Sequence, residues 1–297
     1  MNCASTHRYA LRPRKVAGII KIPPSSSLPT EIVREIMRYT DEDHDLTLVS
    51  LISSDWVPVT RSILFEEVVV AFDEVEAFIR LVTSPYCSLT LHVRKLHFRQ
   101  VPKLQFGKLV KRNFKIFAES VWRIVQLLLN VKWLCLEDFD FHSESHEICS
   151  ELYPGLDRIE TLVLRRGIFD NLPYAIEEVL SLFPRIRTLQ CEWLSHRRSK
   201  PTKSQDLTRR PPTNFLSDLV ELSFVQPEDG LVAVINSRLS LKHVQRVIYK
   251  YDQHDTGGPK ICMPRIDSIF TMLRLIGPSL EYLAFPRNTL SAYSFLR

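Results

Sequence analysis

The sequence predicts an α/β protein in which a three-helix module at the amino end precedes an irregular solenoid of parallel strands, with helices on one side of the sheet. Three observations predict this class. Apolar residues recur at helical spacing between positions 28 and 65, the pattern apolar-x-x-apolar-x-apolar recurs seven times after position 90, and helical patterns lie between these recurrences. A chain of 297 residues is long enough to bury a sizeable core.

The first helix is predicted to begin near Leu28. Ser25 to Ser27 offer capping hydroxyls, Pro29 suits an early helical position, and Glu31 is an acid in the first turn. Apolar residues then follow at helical spacing: Ile32, Val33, Ile36 and Met37. The acidic turn 41–45 ends this pattern. A second short helix is predicted over 48–52 and a third over 59–65.

These three helices resemble an F-box. The resemblance covers 28–65 and rests on three runs: Leu28-Pro29-Thr30-Glu31-Ile32-Val33-Arg34-Glu35-Ile36, Leu48-Val49-Ser50-Leu51-Ile52-Ser53-Ser54-Asp55-Trp56, and Arg61-Ser62-Ile63-Leu64-Phe65. It implies that the module docks onto the small adaptor subunit of SCF-type cullin-RING ubiquitin ligases, and through it onto a cullin, while the rest of the chain holds a target protein. The positions that match the family's adaptor contacts are Leu28, Pro29, Ile32, Ile36, Leu48, Leu51, Ile52, Trp56 and Leu64. The chain departs from the family pattern where Met37 and Tyr39 replace leucine and where Ser54-Asp55 replaces Cys-Lys.

The amount of apolar surface in this module also favours docking. Three short helices within about forty residues carry more apolar side chains than they can bury among themselves. Another surface must therefore cover the surplus, and it belongs either to a partner chain or to residues 67–297. The second possibility defines an alternative function, a protein-interaction scaffold outside any ligase in which the helical module only caps the repeat domain.

After the module, residues 67–89 are predicted to form a linking strand, Val68 to Val70, and a helix that carries Val75 and Val82. The recurring pattern then occupies 90–297. Its seven occurrences are Val93-Leu96-Phe98, Val131-Leu134-Leu136, Ile159-Leu162-Leu164, Ile186-Leu189-Cys191, Leu219-Leu222-Phe224, Val244-Val247-Tyr249 and Leu280-Leu283-Phe285.

This part of the chain resembles leucine-rich repeats, because six of the seven central residues are leucine and their separations run from 25 to 38 residues. The family's asparagine, three residues after the third apolar position, occurs only at Asn288. We therefore expect an irregular arc in place of a regular horseshoe. Helices are predicted between the strands around 114–128, around 176–183, and from Pro264 to the stop signal Gly277-Pro278.

If the motif residues point inward, the residues between them line the exposed face of the sheet. That face is predicted to carry Lys95, His97, Arg99, Trp133, Glu137, Arg165, Gln190, Glu192, Glu221, Arg246, Lys250 and Tyr282. Large aromatic residues and arginine are favoured as interface anchors. Candidate target-binding residues are Trp133, Arg165, Arg246 and Tyr282. The alternative is an ordinary solvated face.

Charge and composition narrow the function classes. The net charge of +5 comes from a basic arm, 1–27, and a basic loop, 195–213, so that the remaining body is mildly acidic and nucleic acid is not an expected partner. Scarce glycine, 8 residues in all, argues against nucleotide-binding loops. No apolar run approaches the length of a membrane span, so no membrane partner is expected.

The chain shows no motif of a known catalytic centre. His142, His146 and Cys149 could project to one side of a helix as metal ligands, but an acidic helix start explains them better and a fourth ligand is missing. The six scattered cysteines indicate reduced thiols and a cytoplasmic or nuclear protein, or one present in both compartments. We therefore expect no enzyme activity, no catalytic residue, no metal and no cofactor.

Overall fold

The computed structural model describes residues 28–39, 54–100, 104–105, 108–109, 114–141, 154–169, 172–196, 216–226, 229–250 and 266–285. The chain divides into two compact units, 1–60 and 61–297. The helices of the described residues are α1 Thr30–Arg38, α2 Val57–Leu64, α3 Val75–Val82, α4 Phe114–Leu127, α5 Leu172–Ser181, α6 Asp229–Arg238 and α7 Ile266–Ile276. No helix in these ranges is long and apolar enough to cross a bilayer.

The first unit is described over α1 and the start of α2. Helix α1 begins after Pro29, whose carbonyl oxygen accepts hydrogen bonds from the amides of Ile32 and Val33. Val33, Met37 and Val59 are buried. The buried hydroxyl of Thr60 donates to the carbonyl oxygen of Trp56 at 3.0 Å and lies 3.3 Å from the sulfur of Met37. A short 3-10 helix, Ser54–Trp56, precedes α2, and the predicted middle helix at 48–52 lies outside the described residues.

The second unit is built on a parallel sheet of eight strands. Their bounds are β1 Glu67–Ala71, β2 Lys95–Arg99, β5 Trp133–Glu137, β7 Thr161–Arg165, β9 Thr188–Glu192, β11 Glu221–Val225, β12 Arg246–Lys250 and β13 Tyr282–Ala284. The strands lie in the order in which they occur in the chain. Strand β1 pairs with β2 from Glu67 to Ala71, so the segment that was expected to link the two parts supplies the edge strand of the sheet.

Shorter strands lie beside the main sheet. They are β3 Leu104–Gln105, β4 Lys108–Leu109, β6 Asp140–Phe141, β8 Ile168–Phe169 and β10 Ser195–His196. Strands β6, β8 and β10 form a second parallel sheet, and β3 pairs with β4 in antiparallel fashion.

The predicted motif and the core coincide in six of the seven occurrences, whereas Leu283 of the seventh is 39% exposed. In the strands of the main sheet from β2 to β12, the second and fourth residues are buried. These residues are the second and third positions of the motif, as Leu134 and Leu136 are in β5. They form one hydrophobic cluster with side chains from α3 to α7. Register is preserved from strand to strand, which places equivalent residues in straight columns across the sheet. Burial of the apolar side chains on this face is the main contribution of the sheet to the stability of the fold.

A left-handed residue follows four of these strands directly. Asp138, Arg166, Trp193 and Gln226 have φ between 49° and 57°. Each of their amides donates to the carbonyl oxygen of the last residue in the next strand, at 2.8 to 3.2 Å. These bonds join the strand ends without the asparagine of regular repeats. The asparagine positions that fall in described residues hold Phe139, Gly167 and Leu194, and Phe139 and Leu194 are buried.

Candidate functional site

The first candidate surface is the outer stripe of α1, formed by Ile32 and Ile36 and continued by Leu28, which precedes the helix. Leu28, Ile32 and Ile36 are 46%, 49% and 43% exposed, although Val33 and Met37 of the same helix are buried. The helix therefore carries apolar side chains on its solvent side as well as on its inner side. Of the other predicted adaptor contacts, Pro29 is exposed and Trp56 and Leu64 are half-buried, whereas Leu48, Leu51 and Ile52 lie outside the described residues.

The second candidate surface is the sheet face that points away from the core cluster. Trp133, Arg246 and Tyr282 are first residues of their strands, and in-register pairing puts them in one column. Arg246 lies over the ring of Tyr282, 5.4 Å from its centroid, and its guanidinium is 3.4 Å from a carboxylate oxygen of Glu221. Trp133 is four strands away from Arg246, at about 19 Å for a strand spacing of about 4.8 Å.

The fourth predicted target residue lies at the other end of its strand. Arg165 closes β7, and its Nε donates to Glu192 at 2.6 Å. Desolvation of the guanidinium lowers the pKa of Arg165, whereas the hydrogen bond and the charge of Glu192 raise it. The net effect is a raised pKa. The structure thus brings Arg246 and Tyr282 together but separates them from Trp133 and Arg165.

A buried carboxylate organises the carboxyl ends of the strands. Glu137, expected on an exposed face, has a side chain only 6% exposed because His97, Arg99 and Arg166 cover it. Arg99 and Arg166 also pair with Asp138, at 3.2 Å and 2.8 Å. These opposite charges compensate one another at the strand ends, and the face is less solvated there than the alternation of side chains predicts.

Cys135, His97 and Glu137 combine residue types that some nucleophilic centres use. His97 and Cys135 are cross-strand partners on the same face, and Glu137 contacts His97. Cys135 is, however, fully buried, and burial raises the pKa of its thiol to about 12. Because the thiolate is the reactive form, this thiol is inert near neutral pH.

Trp193 is a candidate that the sequence reasoning missed. It directly follows β9, adopts φ of 49°, and is 37% exposed. An aromatic residue immediately after a repeated strand motif is a signal that could have singled it out, but the left-handed conformation is not readable from the sequence. Within the described residues, no group of histidine, cysteine, aspartate and glutamate side chains has the geometry of a metal site. A small hollow among Val121, Leu136 and Phe183 has an entirely apolar lining.

Comparison of the chain with models of known protein families gave no match, and no curated protein matched it either.

Proposed function

We propose that the protein is the substrate-recognition subunit of an SCF-type cullin-RING ubiquitin ligase. In this proposal residues 28–66 form an F-box that docks onto the adaptor subunit, and the sheet unit is a degenerate leucine-rich-repeat domain that binds a target protein. The observation that carries the proposal is the exposed apolar stripe of Ile32 and Ile36 on α1, which Leu28 continues just before the helix, while Val33 and Met37 of the same helix are buried. Large apolar side chains that recur on the solvent side of a helix indicate an interface.

The order of the sheet supports the second half of the proposal. The strands follow one another in chain order, and helices α3 to α7 enter the same core cluster from five of the seven connections between them, a pattern typical of stacked strand–helix repeats. Such domains present a long sheet face that is suited to protein binding. A rigid receptor of this kind acts by proximity: it raises the local concentration of the target's lysines near the enzyme that transfers ubiquitin. The protein itself makes no bond in this mechanism.

Replacement of Ile32 tests the docking surface. Ile32→Asp removes a half-exposed apolar contact and forces a carboxylate into the interface, so we expect at least about a tenfold loss of affinity for purified recombinant adaptor subunit. Because the side chain is 49% exposed, the variant should keep the melting temperature of the parent protein within a few degrees. Binding is measured by isothermal titration calorimetry.

Arg34→Asp is the matched control, since it introduces the same carboxylate at an exposed position of the same helix outside the apolar stripe. It should bind the adaptor subunit within about twofold of the parent. Unchanged binding by a well-folded Ile32→Asp variant, or no binding by the parent protein, would remove the basis of the ligase proposal.

A further inference from the structure

The strand ends carry an exposed surface that combines cations with one tryptophan. We call it the carboxyl rim and define it by Arg99, Arg166, Trp193 and Lys250. Arg99 and Lys250 are the last residues of β2 and β12, and Arg166 and Trp193 directly follow β7 and β9. The ladder of amide–carbonyl hydrogen bonds that joins successive strand ends keeps these residues in one line. From β2 to β12 the line crosses five strand spacings, about 24 Å.

Cations form the accessible layer of the rim, and carboxylates lie beneath them. The side chains of Arg99 and Arg166 are 47% and 44% exposed, whereas those of their partners Glu137 and Asp138 are 6% and 20% exposed. The same order holds for the next pair, in which Arg165 is more exposed than Glu192. Lys250 is exposed at the far end. Among the described residues of the rim, the guanidinium and ammonium groups are thus more exposed than the carboxylates with which the arginines pair.

Trp193 stands in the middle of this cationic line. A positive φ is uncommon for a bulky residue, and asparagine or glycine would occupy that conformation with less strain. The ring is nevertheless placed there and remains 37% exposed. Asp138, Arg166 and Gln226 share this left-handed conformation at equivalent turns, so the exposed ring, and not the backbone, sets Trp193 apart. Exposed large aromatics concentrate at binding sites.

From this arrangement we infer that the carboxyl rim binds an acidic polypeptide segment in extended form, with an apolar side chain against Trp193 and carboxylates on the flanking cations. About eight extended residues span the rim. Arginine recognises carboxylates through paired N–H donors, which suits acidic side chains on either side of a central apolar one. The inference refines the target-binding half of the proposed function and depends on it for its biological meaning. The binding itself does not require the adaptor subunit.

The experiment uses the full-length protein and a phage-displayed library of random peptides longer than the rim. We expect enrichment of peptides with acidic residues on both sides of an apolar one. For a synthetic peptide of the enriched sequence, Trp193→Asn should weaken binding about tenfold in calorimetry, and asparagine tolerates the left-handed backbone. The Tyr86→Ala variant loses another exposed aromatic side chain, outside the rim, and should bind within about twofold of the parent.

A pair of charge reversals tests the cationic half of the surface without touching the core. Lys250→Glu and Lys242→Glu make the same change at two exposed lysines, one at the carboxyl end of β12 and one before its amino end. Only Lys250→Glu should weaken the peptide, about threefold or more, and the effect should shrink as salt is added. Equal effects of the two reversals, enrichment of basic peptides, no enrichment at all, or undiminished binding to Trp193→Asn would each overturn the inference. None of these outcomes bears on adaptor binding, which is measured separately with Ile32→Asp.

Discussion

At the scale of single residues, Glu137 explains how the strand ends stay ordered. A carboxylate removed from water is costly unless charged donors surround it. Arg166 donates to Glu137 and also to Asp138, which directly follows Glu137. Arg99, at the end of the neighbouring strand β2, donates to Asp138 as well. Ion pairs between strands therefore supplement the backbone ladder at the turns where a regular repeat would use asparagine.

The burial of two cysteine side chains can be tested by their reactivity. Cys135 and Cys191 are fully buried, and desolvation raises the pKa of both thiols, that of Cys135 to about 12. The neutral thiol is thus favoured at every pH below that value, and alkylation, which requires the thiolate, should not reach either residue in the folded protein. Cys87 is partly exposed and should be modified.

The measurement is peptide mapping by mass spectrometry after iodoacetamide treatment of the native protein. A sample unfolded in guanidinium is the control, in which Cys135 and Cys191 should both be labelled. Modification of Cys135 in the native protein as fast as that of Cys87 would contradict the described packing of the strand.

At the scale of elements, Gly167 determines how closely β8 approaches its neighbour. A Cβ atom on Gly167 would lie 2.1 Å from ring atoms of Phe139, which is itself buried against Phe169 in an edge-to-face contact at 5.5 Å. We expect Gly167→Ala to lower the free energy of unfolding by roughly 1–3 kcal/mol, because the ring must leave its favoured position. Guanidinium unfolding monitored by circular dichroism measures the change.

The double variant Gly167→Ala with Phe139→Leu shows whether the ring is the cause. If it is, the alanine should cost less beside leucine than beside phenylalanine, since the smaller side chain leaves room for the added methyl group. The same cost in both backgrounds would mean that the strain arises elsewhere in the turn.

The elements differ in how far the sequence could predict them. Six motif strands and helices α3, α4, α5 and α7 were predicted at their observed places, because each buries one face and its apolar period is therefore regular. The seventh motif strand, β13, was also predicted at its place, although its Leu283 is 39% exposed. Helix α6 was not predicted, since its buried apolar residues Leu231, Val232, Val234 and Ile235 are nearly consecutive in the sequence and do not show a helical period. Membership of β1 in the sheet depends on long-range pairing with β2, which three consecutive valines do not reveal.

The candidate sites could likewise be predicted only where a local sequence pattern defines them. Helical spacing predicts α1, but the choice of Leu28, Ile32 and Ile36 as contacts came from the resemblance to an F-box. The outward direction of the first strand residues followed from alternation. The burial of Glu137 and the conformation of Trp193 could not be predicted, because both depend on side chains from neighbouring strands and on a backbone turn with no sequence signature. Partners that meet only in the folded sheet are invisible to a local pattern.

At the scale of the whole molecule, the two candidate functions differ in what the first unit does for the second. Among the described residues, the buried members of the core cluster in the second unit lie at or after Val70. If the helical module is a docking unit, removal of residues 1–66 should leave a protein that stays soluble and melts cooperatively, with the apolar face of its sheet still covered by α3 to α7. If the module is only a cap on the repeats, its loss should uncover apolar surface and cause aggregation.

Thermal unfolding by circular dichroism, together with light scattering, separates the two outcomes. We expect the cooperative transition, with a melting temperature within about 10 °C of that of the full chain, and aggregation of the shortened protein on purification would favour the scaffold instead of the ligase subunit.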